Sequence, residues 1–185
     1  MIQTEQVIQE VKKMIKGKDT SICKVFAAML AGGHILIDDV PGVGKTTLAV
    51  AFSQAMQLEN HRVQFTPDVL PADILGFSMY QKETGQFVYY PGAVICNLFL
   101  ADEINRTSPK TQTALLEVME EGCVTVDGVT REMPEPFLVM ATQNPKGSAG
   151  TQLLPESQLD RFMICVSMGY PDVATEIEIA RGKSA

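Results

Sequence analysis

The chain has no long basic run, no apolar stretch near membrane-spanning length and no closely spaced cysteine pair, and each absence removes a class of protein. Its 22 acidic residues outnumber 15 basic ones for a net charge of −7. The broad positive face of a generic nucleic-acid binder is therefore missing, and nucleic acid is not an expected partner. Residues 1–16 lack the apolar block of a secretion signal, and without a membrane-spanning run the expectation is a cytoplasmic protein with no membrane partner. Cys23, Cys96, Cys123 and Cys165 are scattered, show no C-x-x-C spacing and have no nearby histidines, so they read as reduced core cysteines. His34, at the head of an apolar run, pairs in sequence with no metal ligand or nucleophile and reads as a sheet-edge residue. No internal repeat or low-complexity tract is present. A hydrophobic content of 45% in 185 residues suffices for one domain with a sizeable core.

What is present begins with the apolar run 35–37, which turns through Asp38, Asp39, Val40, Pro41, Gly42, Val43 and Gly44 into Lys45, Thr46 and Thr47. Gly42 and Gly44 let the backbone curl its N–H groups around an anion, Lys45 adds a point charge, and Thr46 can place a hydroxyl on Mg²⁺. The expected ligand is a nucleoside triphosphate. The first position of the G-x-x-x-x-G-K-[ST] pattern holds Asp39, a residue that tolerates unusual backbone angles. Leu48, Ala49, Phe52 and Ala55 follow on a helical period, which sets the loop between a strand and a helix.

Two amphipathic helices are expected ahead of the loop, one carrying Val7, Ile8, Val11, Met14 and Ile15 and one over 21–31, both against a central sheet. Strand-like runs at 35–37, 62–65, 95–101, 137–141 and 162–166 alternate with helical segments, which predicts a three-layer αβα sandwich on a mostly parallel five-stranded sheet. Residues 78–81 with 86–89, and 123–126 with 129–133, read as two inserted β-hairpins.

The strand-like run 95–101 ends in Asp102 and Glu103. A strand-end Asp can hold the Mg²⁺ shell and a neighbouring Glu can polarise water for attack on a γ-phosphate; the alternative is a strand that ends in solvated acids. Asn144, before Pro145, could orient that water or simply start a turn. Arg161, beside Asp160, could pair locally with a carboxylate or reach a neighbouring subunit's γ-phosphate. The chain has no Asn-Lys-x-Asp segment of a GTPase; a nucleotide switch, a small-molecule kinase and a nucleic-acid motor stay as alternatives to an ATP-driven remodelling module.

Residues 40–46, 102–106, 141–145 and 159–162, in this order and spacing, resemble the MoxR family of AAA+ ATPases, and the likeness runs from about Gly17 to Pro171, Asp39 included. The resemblance implies a P-loop fold over 1–170 and the start of a helical lid over 171–185, with Arg181 not the lid's own sensor arginine. It implies Gly17 and Lys18 at the adenine, residues 41–47 at the phosphates, Thr46 and Asp102 at Mg²⁺, and Glu103, Asn144 and Arg161 in catalysis, with Arg161 acting in trans. It further implies ATP as cofactor, a hexameric ring, pore-facing hairpins, and a chaperone-like action on a protein or metal-cofactor client, often beside a von Willebrand factor A domain protein.

Overall fold

Strict alternation of side chains on short apolar strands decides the architecture. The computed structural model describes residues 4–39, 42–144, 154–170 and 175–177. The chain runs α1 (Thr4–Met14), α2 (Asp19–Leu30), β1 (Ile35–Asp38), α3 (Lys45–Met56), β2 (Asn60–Gln64), α4 (Pro71–Leu75), β3 (Gly76–Gln81) and β4 (Gln86–Pro91). There follow β5 (Leu98–Asp102), a 3₁₀ turn (Ile104–Arg106), α5 (Pro109–Glu121), β6 (Cys123–Val126), β7 (Val129–Glu132), β8 (Leu138–Gln143), α6 (Glu156–Leu159) and β9 (Ile164–Val166).

Five strands form one sheet in the order β2-β5-β8-β1-β9, and every pairing is parallel. Ile35, Ile37, Leu98, Leu100, Leu138 and Met140 face one apolar layer with α1, α2 and α3. Their neighbours Leu36, Phe99, Ala101, Val139 and Ala141 face the other, with Leu115, Leu116, Val118 and Met119 of α5. A strand buried on both faces is apolar along most of its length, which is why β5 as far as Ala101 and β8 as far as Ala141 read as continuous runs. Phe52 is fully buried and stacks on Phe26 at 5.9 Å. Burying a side chain of that size stabilises the fold by about 1.5–3 kcal/mol.

The αβα sandwich is thus as expected, with a sheet that is wholly parallel. β5 starts at Leu98, later than the apolar run, because residues 92–97 are spent on turns in which Ile95 bonds to Gly92 O and Asn97 to Glu59 O. β9 starts at Ile164, after Phe162 N has closed a turn onto Leu159 O. α1 packs chiefly on α3 and α2, and its Val7 and Val11 share one core layer with the strands. Cys96 is buried, whereas Cys23 and Cys165 are exposed and Cys123 is partly so; the core reading fails for these because period-2 and helical spacing turn them outward. His34 is not at a sheet edge either, since β1 is flanked by β8 and β9.

Both hairpins are present. Asp127 and Gly128 have φ of 53° and 73°, the left-handed pair that a two-residue turn between twisted strands requires. The β3–β4 hairpin leaves the core at Gly76 and Gly92, where a Cβ would come within 2.4 Å of Tyr90 O and 2.1 Å of Ile74 O respectively. Only glycine lets the two backbones cross so closely. Within the described residues no helix is long and apolar enough to cross a membrane. Of the helical lid segment expected over 171–185, residues 175–177 are described and are helical; Arg181 lies outside the described residues.

Candidate functional site

In a parallel sheet the carboxyl ends of adjacent strands emerge side by side, and here the three central strands β5, β8 and β1 end in Asp102–Glu103, Gln143–Asn144 and Asp38–Asp39. Gly42 and Gly44, with φ of 89° and 92°, carry the chain from β1 into α3, where Leu48 N makes its helical bond to Gly44 O. Val40 and Pro41, at the crest of the expected cradle, lie outside the described residues. Val43 packs its side chain toward the α1–α3 layer, leaving its backbone for the loop, and Gly44 rests above Ile15.

Lys45 is buried at 7% exposure and its Nζ donates to Asp39 O at 2.6 Å and Gln143 O at 3.4 Å, two carbonyls at the strand ends. Burial pushes the ammonium below the usual lysine range, against the pull of Asp102, Asp39, Glu103 and Asp38. Asp102 Oδ1 accepts the Thr142 hydroxyl at 2.6 Å, and its Oδ2 accepts Thr46 Oγ1 at 3.4 Å and Arg62 Nη2 at 2.8 Å. Glu103 takes a left-handed conformation, φ 56°, which turns the chain off β5 while its N–H is held by Thr142 Oγ1 at 2.8 Å. Its carboxylate meets Arg106 at 2.8 Å. Burial raises the Glu103 pKa, but hydrogen bonds from Arg106 and Asn144 outweigh it and hold the group below the usual carboxylate range.

Asn144 is itself latched. Asn105, 1% exposed, accepts from Asn144 N at 3.3 Å and donates to Asn144 O at 3.1 Å. Gln112 of α5 then fixes the 3₁₀ turn carrying Asn105 by donating to Ile104 O and Thr107 O. Asn144 Oδ1 and Gln143 Oε1 are buried and have no partner among the described residues. Such orphaned acceptors in an otherwise saturated site fit a ligand or water that completes them.

Lys45, Thr46, Arg62, Asp102, Glu103 and Asn144, with Gly42, Gly44, Thr47 and Gln64, line one open cavity of about 370 Å³. A slightly larger hollow, about 480 Å³ between α1 and α3, brings no comparable chemistry together. Gly17 and Lys18 line a second hollow of about 340 Å³ with Met168, and a Cβ on Gly17 would lie 3.0 Å from Thr175 Oγ1. Asp39 links the walls of this hollow and the 370 Å³ cavity, since its carbonyl accepts from Lys45 Nζ. Its Oδ2 accepts from Met168 N and Gly169 N, both at 2.6 Å, and from Ser167 Oγ at 3.0 Å. The residue that breaks the glycine pattern thus pins the segment after β9 to the loop.

Arg161 is not brought into the 370 Å³ cavity. It pairs with Glu120 of α5 and donates to Ser157 O at 3.1 Å, and the local partner weighed from sequence, Asp160, is not the carboxylate it meets. Arg62, Thr142 and Asn105 were not anticipated, although Arg62 and Gln64 stand on one face of β2 by period-2 spacing. Among the described residues no cluster of three or more His, Cys, Asp or Glu could hold a metal unaided. Thr46 and Asp102 suit Mg²⁺ in the manner of sites that complete its shell with phosphate and water oxygens.

Residues 34–164 match the family model of the "ATPase family associated with various cellular activities (AAA)". The chain is 50% identical over 174 residues to the uncharacterised protein YeaC of Bacillus subtilis, covering 94% of this chain and 54% of that one. It is 45% identical over 175 residues to the chaperone MoxR1 of Mycobacterium tuberculosis, covering 95% and 46% respectively. The crystal structure of an ATPase candidate from Cytophaga hutchinsonii superposes with a TM-score of 0.85 at 44% identity, over 96% of this chain and 54% of that one. The chain therefore spans about half the length of these relatives.

Proposed function

Since the chain belongs to the AAA+ ATPases, and within them to the MoxR family, we propose that its 370 Å³ cavity binds ATP with Mg²⁺ and hydrolyses it. The observation that carries this reading is the convergence, at three adjacent strand ends, of a buried lysine, a Thr46–Asp102 pair and a Glu103 carboxylate beside Asn144. Residues 41–47 wrap the phosphates, with Lys45 as their side-chain cation, while Gly17 and Lys18 receive the adenine. Thr46 and Asp102 would hold Mg²⁺, which when bound would supply charge neutralisation to the phosphates. Glu103, kept ionised by Arg106 and Asn144, takes a proton from the attacking water, and Asn144 orients that water.

Arg161 supplies its charge to a neighbouring subunit, for which it leaves Glu120. The whole protein would then be a cytoplasmic homo-oligomer, a hexameric ring that uses hydrolysis to remodel a protein or metal-cofactor client, with a von Willebrand factor A domain protein as a candidate partner. Residues 171–185 begin its helical lid. What supports this part is the MoxR membership and the name of the mycobacterial relative.

Two substitutions separate binding from chemistry. In Lys45→Ala, loss of a charge-assisted contact of about 1.5–3 kcal/mol weakens ATP binding by about tenfold to a hundredfold. In Glu103→Gln, binding persists while turnover falls by about 10²-fold or more. Calorimetric affinity and phosphate release measured on the intact protein check both. Hydrolysis by Glu103→Gln at the parent rate would show that Glu103 is not the base.

A further inference from the structure

Asp102 offers one free-facing oxygen to the cavity, and Arg62 already holds it. Oδ1 is turned inward onto the Thr142 hydroxyl at 2.6 Å, whereas Oδ2 takes both the Thr46 hydroxyl at 3.4 Å and the Arg62 guanidinium at 2.8 Å. A divalent cation that draws on Thr46 and Asp102 needs that same oxygen, and it would arrive against a fixed positive charge. Arg62 is a poor candidate for a purely structural ion pair. Its side chain is 51% exposed while that of Asp102 is 10% exposed, so the arginine reaches from solvent into the cavity. β2 does not depend on it, because the strand is held by its backbone ladder to β5 from Asn60 to Gln64, and the guanidinium has a second acceptor on its own strand in Gln64 Oε1 at 3.3 Å.

We propose that Arg62 is a displaceable counter-ion: it neutralises Asp102 while the metal position is empty, and a Mg²⁺-bound nucleotide must drive it off. This rests on the nucleotide reading above. The linkage is reciprocal, so whatever holds Arg62 on Asp102 weakens metal-nucleotide binding by the same factor by which metal-nucleotide loosens the pair. Removing the guanidinium therefore tightens Mg²⁺-nucleotide binding. It does not tighten binding of the metal-free nucleotide, which never competes for Asp102. Were Arg62 a phosphate ligand, its loss would weaken both.

The sign of the effect is the test. ADP affinity is measured by calorimetry, in Mg²⁺ and in EDTA, for the parent protein, Arg62→Gln and Arg62→Lys, with thermal unfolding as a check that each variant is folded. The expected result is that Arg62→Gln binds ADP about threefold or more tighter in Mg²⁺, with no gain in EDTA, and that Arg62→Lys, which keeps the charge, returns toward the parent. Weaker binding in both media overturns the proposal in favour of a phosphate contact. Equal affinities throughout overturn it in favour of an idle surface pair. If the parent binds ADP in neither medium, the nucleotide reading itself is overturned, and this inference with it.

Discussion

Replacing Asp39 by alanine should destabilise the fold by about 1–4 kcal/mol, through the lost acceptor and not through lost charge. The magnitude follows from where three of its donors, Met168 N, Gly169 N and the Ser167 hydroxyl, stand. Met168 is 5% exposed, so its N–H, left without Oδ2, bears the full penalty of a buried unsatisfied donor, about 1–3 kcal/mol. Gly169 is half-buried and recovers part of its loss from water, which leaves about 0.5–1.5 kcal/mol, the net worth of an ordinary hydrogen bond. Ser167 is exposed and its hydroxyl turns to solvent at little cost. Some of the sum is returned, because a carboxylate at 8% exposure is no longer kept from water beside Asp38 and Asp102. Asparagine separates the two explanations, since its amide oxygen can accept from both Met168 N and Gly169 N without the charge. Asp39→Asn should cost about 1 kcal/mol or less beside its alanine counterpart, within the range by which neutral and charge-assisted hydrogen bonds differ. Urea unfolding at neutral pH with a shared slope checks both. A loss under about 1 kcal/mol for Asp39→Ala, or equal losses for the two variants, would refute the argument.

His34 donates from Nε2 to Met119 O because its Nδ1 accepts Val139 N at 3.0 Å, so protonating Nδ1 would set two donors face to face; burial holds its pKa below the usual histidine value. The unfolded chain therefore binds the extra proton first, and this contribution is complete above the unfolded pKa and is lost as pH falls through it, with a slope of at most about 1.4 kcal/mol per pH unit. Urea titrations at pH 7.5 and pH 5.5 should show a smaller acid loss in His34→Gln than in the parent, and an unchanged difference would exclude His34 as its source. Arg161→Ala should leave nucleotide affinity per subunit intact and cost at most about 1 kcal/mol of stability, as exposed ion pairs do, yet reduce turnover of the assembly by about 10³-fold or more. Mixing it with Glu103→Gln subunits should restore activity, and no recovery in demonstrably mixed assemblies would leave Arg161 a local partner of Glu120.

How much of this could be read beforehand depends on how far along the chain the causes lie. The loop from β1 to α3, the Asp127–Gly128 turn and the acids ending β5 are set by neighbouring residues, so their chemistry was legible from short strings. The partners were not. Asp39 meets Ser167, Met168 and Gly169 some 130 residues away, Arg161 meets Glu120 across α5, and His34 bridges β8 and α5. Arg62 shows why most sharply. It reaches Asp102 because β2 pairs with β5 in the register Arg62 opposite Leu100 and Gln64 opposite Asp102, which sets Arg62 and Gln64 on the same face. A slip of one residue would turn His61 and Val63 toward that acid and Arg62 to the opposite side of the sheet. Within 60–64 only Val63 is apolar, and its packing against the α5-side core gives a weak local preference for the observed register. The choice comes mainly from outside, where Phe65, fully buried, closes the ladder with its N–H on Asp102 O at 2.8 Å. One core phenylalanine beyond the strand thus does much to decide that Arg62 is the cation facing Asp102.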